Sequence, residues 1–198
     1  MSASSSSRRS LLKKGALGGV LLFAAGSLPI AFRPSGPLAR PTRPLGQLTA
    51  SEYGIFAAAA TRLVLGNHAD ARWPMPAAVD CAGRLDDILS TLHPRATAEF
   101  RKLLRLFENG MTGLFSIGSA ETFTAASVDE QDRRLQSWRH SRLALLRSGY
   151  QAMKRLAHAT YYSSPATFAA VGYPGPPVVP SFDRRAPQSE RPAAGVPG

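Results

Sequence analysis

Apolar residues recur three and four positions apart along the middle of this chain, a period that predicts helices and no strand. Val79, Ala82, Leu85, Ile88, Leu89 and Leu92 share one face of a helix over 78–92. His93 bridges to a helix over 94–108 with Phe100, Leu103, Leu104 and Phe107 inward, begun at Pro94, whose missing N–H costs nothing in a first turn. The longest periodic stretch places Leu135, Trp138, Leu145, Leu146, Tyr150, Met153, Ala157 and Tyr161 on one stripe, and this is where the core is expected. Gly149 interrupts it at a cost of up to about 1 kcal/mol relative to Ala, so it marks either a break into two helices or close approach by another backbone.

Polar punctuation divides these stretches. Thr49-Ala50-Ser51-Glu52 and Ser127-Val128-Asp129-Glu130 are capping boxes, in which the hydroxyl accepts from the N–H three residues on and the glutamate reaches back. The first opens an Ala-rich helix to about Leu65 with Ile55, Phe56, Leu63 and Val64, stopped by Gly66 and Asn67. Pro74 and Pro76 make 71–76 a turn-rich connection, Asn109-Gly110 ends the 94–108 helix, and Met111 to Ala126 reads as a short helix plus loop. Ser164-Pro165 restarts a short helix that Gly172 ends. The expectation is an all-α fold, a compact bundle of five to six helices, with no internal repeat.

The flanks differ from this body. Residues 33–47 hold four prolines and two glycines and read as an extended linker, and 178–198 form a proline-rich tail without periodicity. Ahead of the linker, Ser7-Arg8-Arg9-Ser10-Leu11-Leu12-Lys13 precedes an apolar run from Gly15 to about Leu28. This resembles a bacterial twin-arginine signal, with Arg8 and Arg9 as the address. The resemblance implies export of an already folded protein to the periplasm. The run spans roughly 21 Å if helical, short of the roughly 30 Å apolar core of a bilayer. No clean A-x-A triplet follows, so the sequence fits both cleavage, near Gly26 or Ala31, and retention as an inner-membrane anchor. The division is therefore a signal at 1–32, a linker at 33–47, a helical domain at 48–177 and a tail.

Composition then narrows the function. The net charge is +11, but four of the 24 Lys and Arg and none of the 13 Asp and Glu fall in the signal, so the remainder carries +7. Its basic residues are dispersed among acids, which argues against a nucleic-acid partner. Cys81 is the sole cysteine, so no intrachain disulfide forms, and in an amphipathic helix it reads as a small buried hydrophobe. No C-x-x-C-H, H-E-x-x-H, E-x-x-H or G-x-S-x-G occurs, and the glycines at 15, 18 and 19 belong to the signal. A metal, serine-nucleophile or nucleotide site thus lacks motif support, and no cofactor is expected in this chain. His140 and His158, five turns apart on one continuous helix, would stand roughly 27 Å apart and share no ion. Asp86 and Asp87 point about 100° apart, which suits solvent. Tyr161, Tyr162, Tyr173, Pro174 and Pro176, with Trp138 and Tyr150, are candidate partner-binding residues, since tyrosine and rigid proline supply contact area at low entropic cost.

Leu48-Thr49-Ala50-Ser51-Glu52-Tyr53, Val79-Asp80 leading into Arg84-Leu85-Asp86-Asp87, Ser137-Trp138-Arg139-His140-Ser141-Arg142, Tyr150-Gln151-Ala152-Met153-Lys154, Tyr161-Tyr162 and Gly172-Tyr173-Pro174-Gly175-Pro176 together resemble the gluconate 2-dehydrogenase subunit 3 family, over roughly residues 48–177. The resemblance implies a small, non-catalytic helical subunit that accompanies a large flavoprotein dehydrogenase subunit and often a multi-haem cytochrome c subunit through the twin-arginine translocase. FAD and haem c would then belong to the partners. The alternative is a free-standing exported helical protein that binds a small apolar ligand. The Gly-interrupted 111–126 region and the long tail depart from the family pattern.

Overall fold

The computed structural model describes residues 34–66 and 72–176, which fold as seven helices with no strand among them. The signal with Arg8 and Arg9 and the tail over 178–198 lie outside the described residues. Helix α1 (Ala50–Leu65) begins with the expected capping box: Thr49 Oγ1 accepts from the Glu52 N–H and Glu52 from the Thr49 N–H. Gly66, at φ +55°, closes it by donating to the Arg62 carbonyl. Helix α2 (Cys81–Thr91) starts three residues later than the periodicity suggests. Residues 76–80 form turns instead, because Asp80 adopts a left-handed conformation, φ +48°, from which its carboxylate caps the Gly83 N–H. Tyr53 Oη donates to the same carboxylate at 2.8 Å. Leu92, expected inward, lies beyond the helix and is 42% exposed.

Helix α3 (Pro94–Glu108), α4 (Gly110–Ile117), α5 (Val128–Arg139), α6 (Ala144–Tyr162) and α7 (Pro165–Phe168) complete the set. Ser127 caps α5 with the second capping box. Helix α6 packs on α1, α2, α5 and α7, while α1 also packs on α2 and α3 and α4 packs on α5. The longest periodic stretch is thus two helices. The break falls at 140–143 instead of at Gly149, and no glycine or proline marks it. Ser141 Oγ accepts from the Leu143 N–H, and Arg147 donates to the carbonyls of Ser141 (2.6 Å) and Arg142 (2.9 Å), so side chains hold this corner. Gly149 instead lets side chains of α3 and α5 pack close to α6. A Cβ there would lie 2.6 Å from Leu103 Cδ1 and 3.0 Å from Trp138 Cζ3.

Trp138, Phe107 and Phe123 form an aromatic cluster where α3, α5 and the 118–127 loop meet. Phe107 lies edge-on to Trp138 at 4.9 Å and tilted against Phe123 at 4.3 Å. Each is fully buried, and such burial contributes about 1.5–3 kcal/mol per side chain. Beside them Arg134 is also fully buried, and its guanidinium donates to the carbonyls of Phe107 and Glu121. Desolvation lowers its pKa, with Glu108, Glu130 and Glu121 opposing. Gly113 of α4 leaves the room that this guanidinium occupies. Helix α4 is therefore seated against α5 by a cation under its glycine.

Residues 34–47 form neither helix nor strand, and they do not hang free. The Gly36 N–H donates to Thr124 Oγ1, Thr122 Oγ1 donates to the Pro34 carbonyl, and Leu38 packs where Gly54 lacks a side chain. Arg43 reaches the Gly83 carbonyl and Asp87. Asp86 then accepts from the N–H groups of Gly46, Gln47 and Leu48 at 2.7–2.8 Å. The segment is a strap on the bundle, and Asp86 is buried in it instead of facing solvent.

Candidate docking site

The corner between α5 and α6 opens a surface groove of about 690 Å³, lined by residues that include Leu106, Thr112, Phe115, Ser137, His140, Leu143, Leu145 and Leu146. Phe115 is 70%, Leu143 64% and Leu145 67% exposed. Large apolar side chains exposed around one concavity make it a candidate docking surface. The elements fix this arrangement. The chain turns at His140–Leu143, which shifts the helical phase and throws Leu145 outward, while Leu135 and Trp138 before the turn and Tyr150, Met153, Ala157 and Tyr161 after it stay buried. Leu145 is the one member of the predicted stripe that the break exposes.

Arginines adjoin the lining residues in the sequence. Arg139, Arg142 and Arg147 flank the lining residues His140, Ser141, Leu143 and Leu146 and are exposed. None of the three makes an ion pair among the described residues. From Ser137 to Pro176 the sequence holds five Lys and Arg and no Asp or Glu.

The residues expected to bind a partner divide. Trp138, Tyr150 and Tyr161 are buried in the bundle's own core, which takes them off the surface. Tyr161 Oη donates to the Pro74 carbonyl and holds the turn-rich connection in place. Tyr162, Tyr173, Pro174 and Pro176 are exposed at the other end of α6. Tyr162 stacks edge-on to Trp73 at 6.4 Å and Tyr173 to Phe168 at 5.0 Å, so part of this aromatic area is already packed internally. Phe115, Leu143 and Leu145 were not expected. Their signal was the surplus of leucines at 143, 145 and 146, more than one helical face can bury.

The remaining polar constellations hold the fold. Glu52 is buried and accepts from Arg101 and Arg105 as well as from the Thr49 N–H, so its pKa is lowered although desolvation opposes. Burial pushes the Cys81 thiol up to about 11, where little nucleophilic thiolate exists near neutral pH. His140 sits in the corner at the end of α5 and His158 on α6, and their Nδ1 atoms lie at hydrogen-bond distance from the carbonyls of Gln136 and Lys154. Their expected relation along one continuous helix therefore does not hold. Among the described residues no group of three His, Cys, Asp or Glu could hold a metal ion, and no helix is long and apolar enough to cross a membrane.

No family model matches the chain, and no curated protein or solved structure proved similar to it. No comparison supports the resemblance read from the motif residues. The groove is what the geometry adds to them.

Proposed function

We propose that this chain is a non-catalytic small subunit of an exported flavin-dependent dehydrogenase acting on gluconate or another sugar or alcohol. It binds the folded catalytic subunit, stabilises it by binding its native state alone, and supports its passage through the twin-arginine translocase to the periplasm. The observation that carries the reading is the solvent-facing apolar groove at the α5–α6 corner, on a body whose buried carboxylates, guanidinium and thiol are engaged in holding the fold. The resemblance of residues 48–177 to the subunit 3 family and the Arg8-Arg9 signal support the identity of the cargo. Oxidation, FAD and onward electron transfer through haem c belong to the partners in this reading.

The test is to produce the large subunit with this chain, without it, and with Arg8 and Arg9 both changed to Lys, and to assay dehydrogenase activity in the periplasm. Activity present only with the unaltered chain is expected; equal activity in all three overturns the export role. The groove volume also falls within the roughly 300–1,000 Å³ range of small-ligand sites, which supports a second reading as a free-standing binder of an apolar ligand. That reading predicts a monomer that retains such a ligand and purifies without a flavoprotein.

A further inference from the structure

We propose that the groove between α4 and the α5–α6 corner receives an acidic amphipathic helix of the partner protein. Its apolar stripe would cover Leu143 and Leu145, and its flanking carboxylates would meet Arg139 and Arg142. The proposal rests on the reading of this chain as an accessory subunit, though not on the partner being a flavoprotein.

The mode of docking follows from what the surface offers. The described residues provide no sheet edge for strand addition. A short apolar concavity between helices suits a helix that presents residues three and four apart. The charge of the occupant follows from the adjoining arginines. Arg139 and Arg142 point no guanidinium at any carboxylate of the described chain, and the forty residues from Ser137 to Pro176 supply none. Opposite charges across an interface steer encounter and fix register.

The same facts disfavour two other occupants. A second copy placed groove to groove would bring the arginines of both copies together, and like charges facing each other across an interface repel. An anionic membrane surface would satisfy the arginines but is broad and close to flat, so it would leave the concavity, lined in part by Thr112 and Ser137, unfilled.

The experiment places a photo-crosslinking amino acid at Leu145, and at exposed Gln151 as control, in the full chain produced in its own cells, and identifies the captured segment by mass spectrometry. Capture at 145 but not 151 is expected. The captured peptide should carry apolar residues at three- and four-residue spacing and an excess of Asp and Glu over Lys and Arg. In the R139E/R142E chain, with helicity unchanged by circular dichroism, capture should fall at least tenfold. A lipid adduct, a peptide of this chain itself, a basic or non-amphipathic segment, no adduct, or capture indifferent to the charge reversal overturns the proposal. An acidic helix from a protein without flavin leaves the groove assignment standing and overturns the dehydrogenase reading. Co-purification of a flavoprotein that persists undiminished in L143D/L145D supports the dehydrogenase reading and overturns the groove.

Discussion

Gly149 shows how one residue can serve a helix it formally weakens. Alanine there should gain up to about 1 kcal/mol of helix propensity, yet its methyl group would stand 2.6 Å from Leu103 Cδ1 and 3.0 Å from the ring of Trp138. Leu103 is partly buried and can swing aside, whereas Trp138 is fully buried and cannot. Overpacking of this kind costs about 1–3 kcal/mol. Urea denaturation of Gly149→Ala should therefore show a loss of about 1 kcal/mol, and the loss should shrink when Leu103→Ala is added. Additive losses would show that Leu103 is not the residue that yields. The sequence alone offered two readings of this glycine, a helix break or close approach by another backbone, and neither holds: the helix runs on and the close three-dimensional neighbours are side chains. Arg134 was illegible for the same reason. A charged residue in a polar helix reads as solvated until Phe107, Glu121 and Gly113 are brought around it.

At the level of elements, legibility followed locality. Both capping boxes and the Pro94 start are written within four residues, and helices α1, α3 and α5 begin where those signals stand. The start of α2 was missed because Asp80 caps from a left-handed conformation that Tyr53, 27 residues away, helps to hold. The strap was missed for a longer-range reason: its anchor, Asp86, lies 38–40 residues downstream and looks like half of a solvent-facing pair. Asp86→Asn would set an amide N–H₂ against backbone donors that now share a carboxylate. Loss of such charge-assisted bonds costs about 1–3 kcal/mol. Hydrogen exchange should lose protection at Gly46, Gln47 and Leu48 while α3 and α5 keep theirs. Equal loss throughout would mean that the strap is not a separable unit. The groove itself was illegible because it arises where two helices part, at a corner with neither glycine nor proline.

For the whole molecule, two buried carboxylates on different helices set the response to acid. Desolvation raises the pKa of Glu52 and of Asp86, but their hydrogen bonds, from Thr49, Arg101 and Arg105 in one case and from Gly46, Leu48 and Gln47 in the other, leave both lowered. A group with a lowered folded-state pKa stabilises the fold above its unfolded value, here near 4.5 for Glu and 3.8 for Asp, and loses that contribution as pH falls through the folded value. Urea midpoints should thus be level from neutral pH to about pH 5 and then drop. Glu52→Gln should start lower and drop less steeply; an unchanged slope would show that Glu52 has no part in the acid response. The strap gives the molecule a mechanical property as well. Tension applied through the N-terminus meets its attachments one after another, at Thr122 and Thr124, at Gly54, at Asp87 and at Asp86, before it passes along the chain to Ala50, where α1 starts. Residues 34–47 can then pay out at most about 50 Å of chain while the bundle stays closed. In an optical trap the first rip should be no longer than that and should reverse on relaxation. A domain so tethered can be hauled by its leading end and arrive folded.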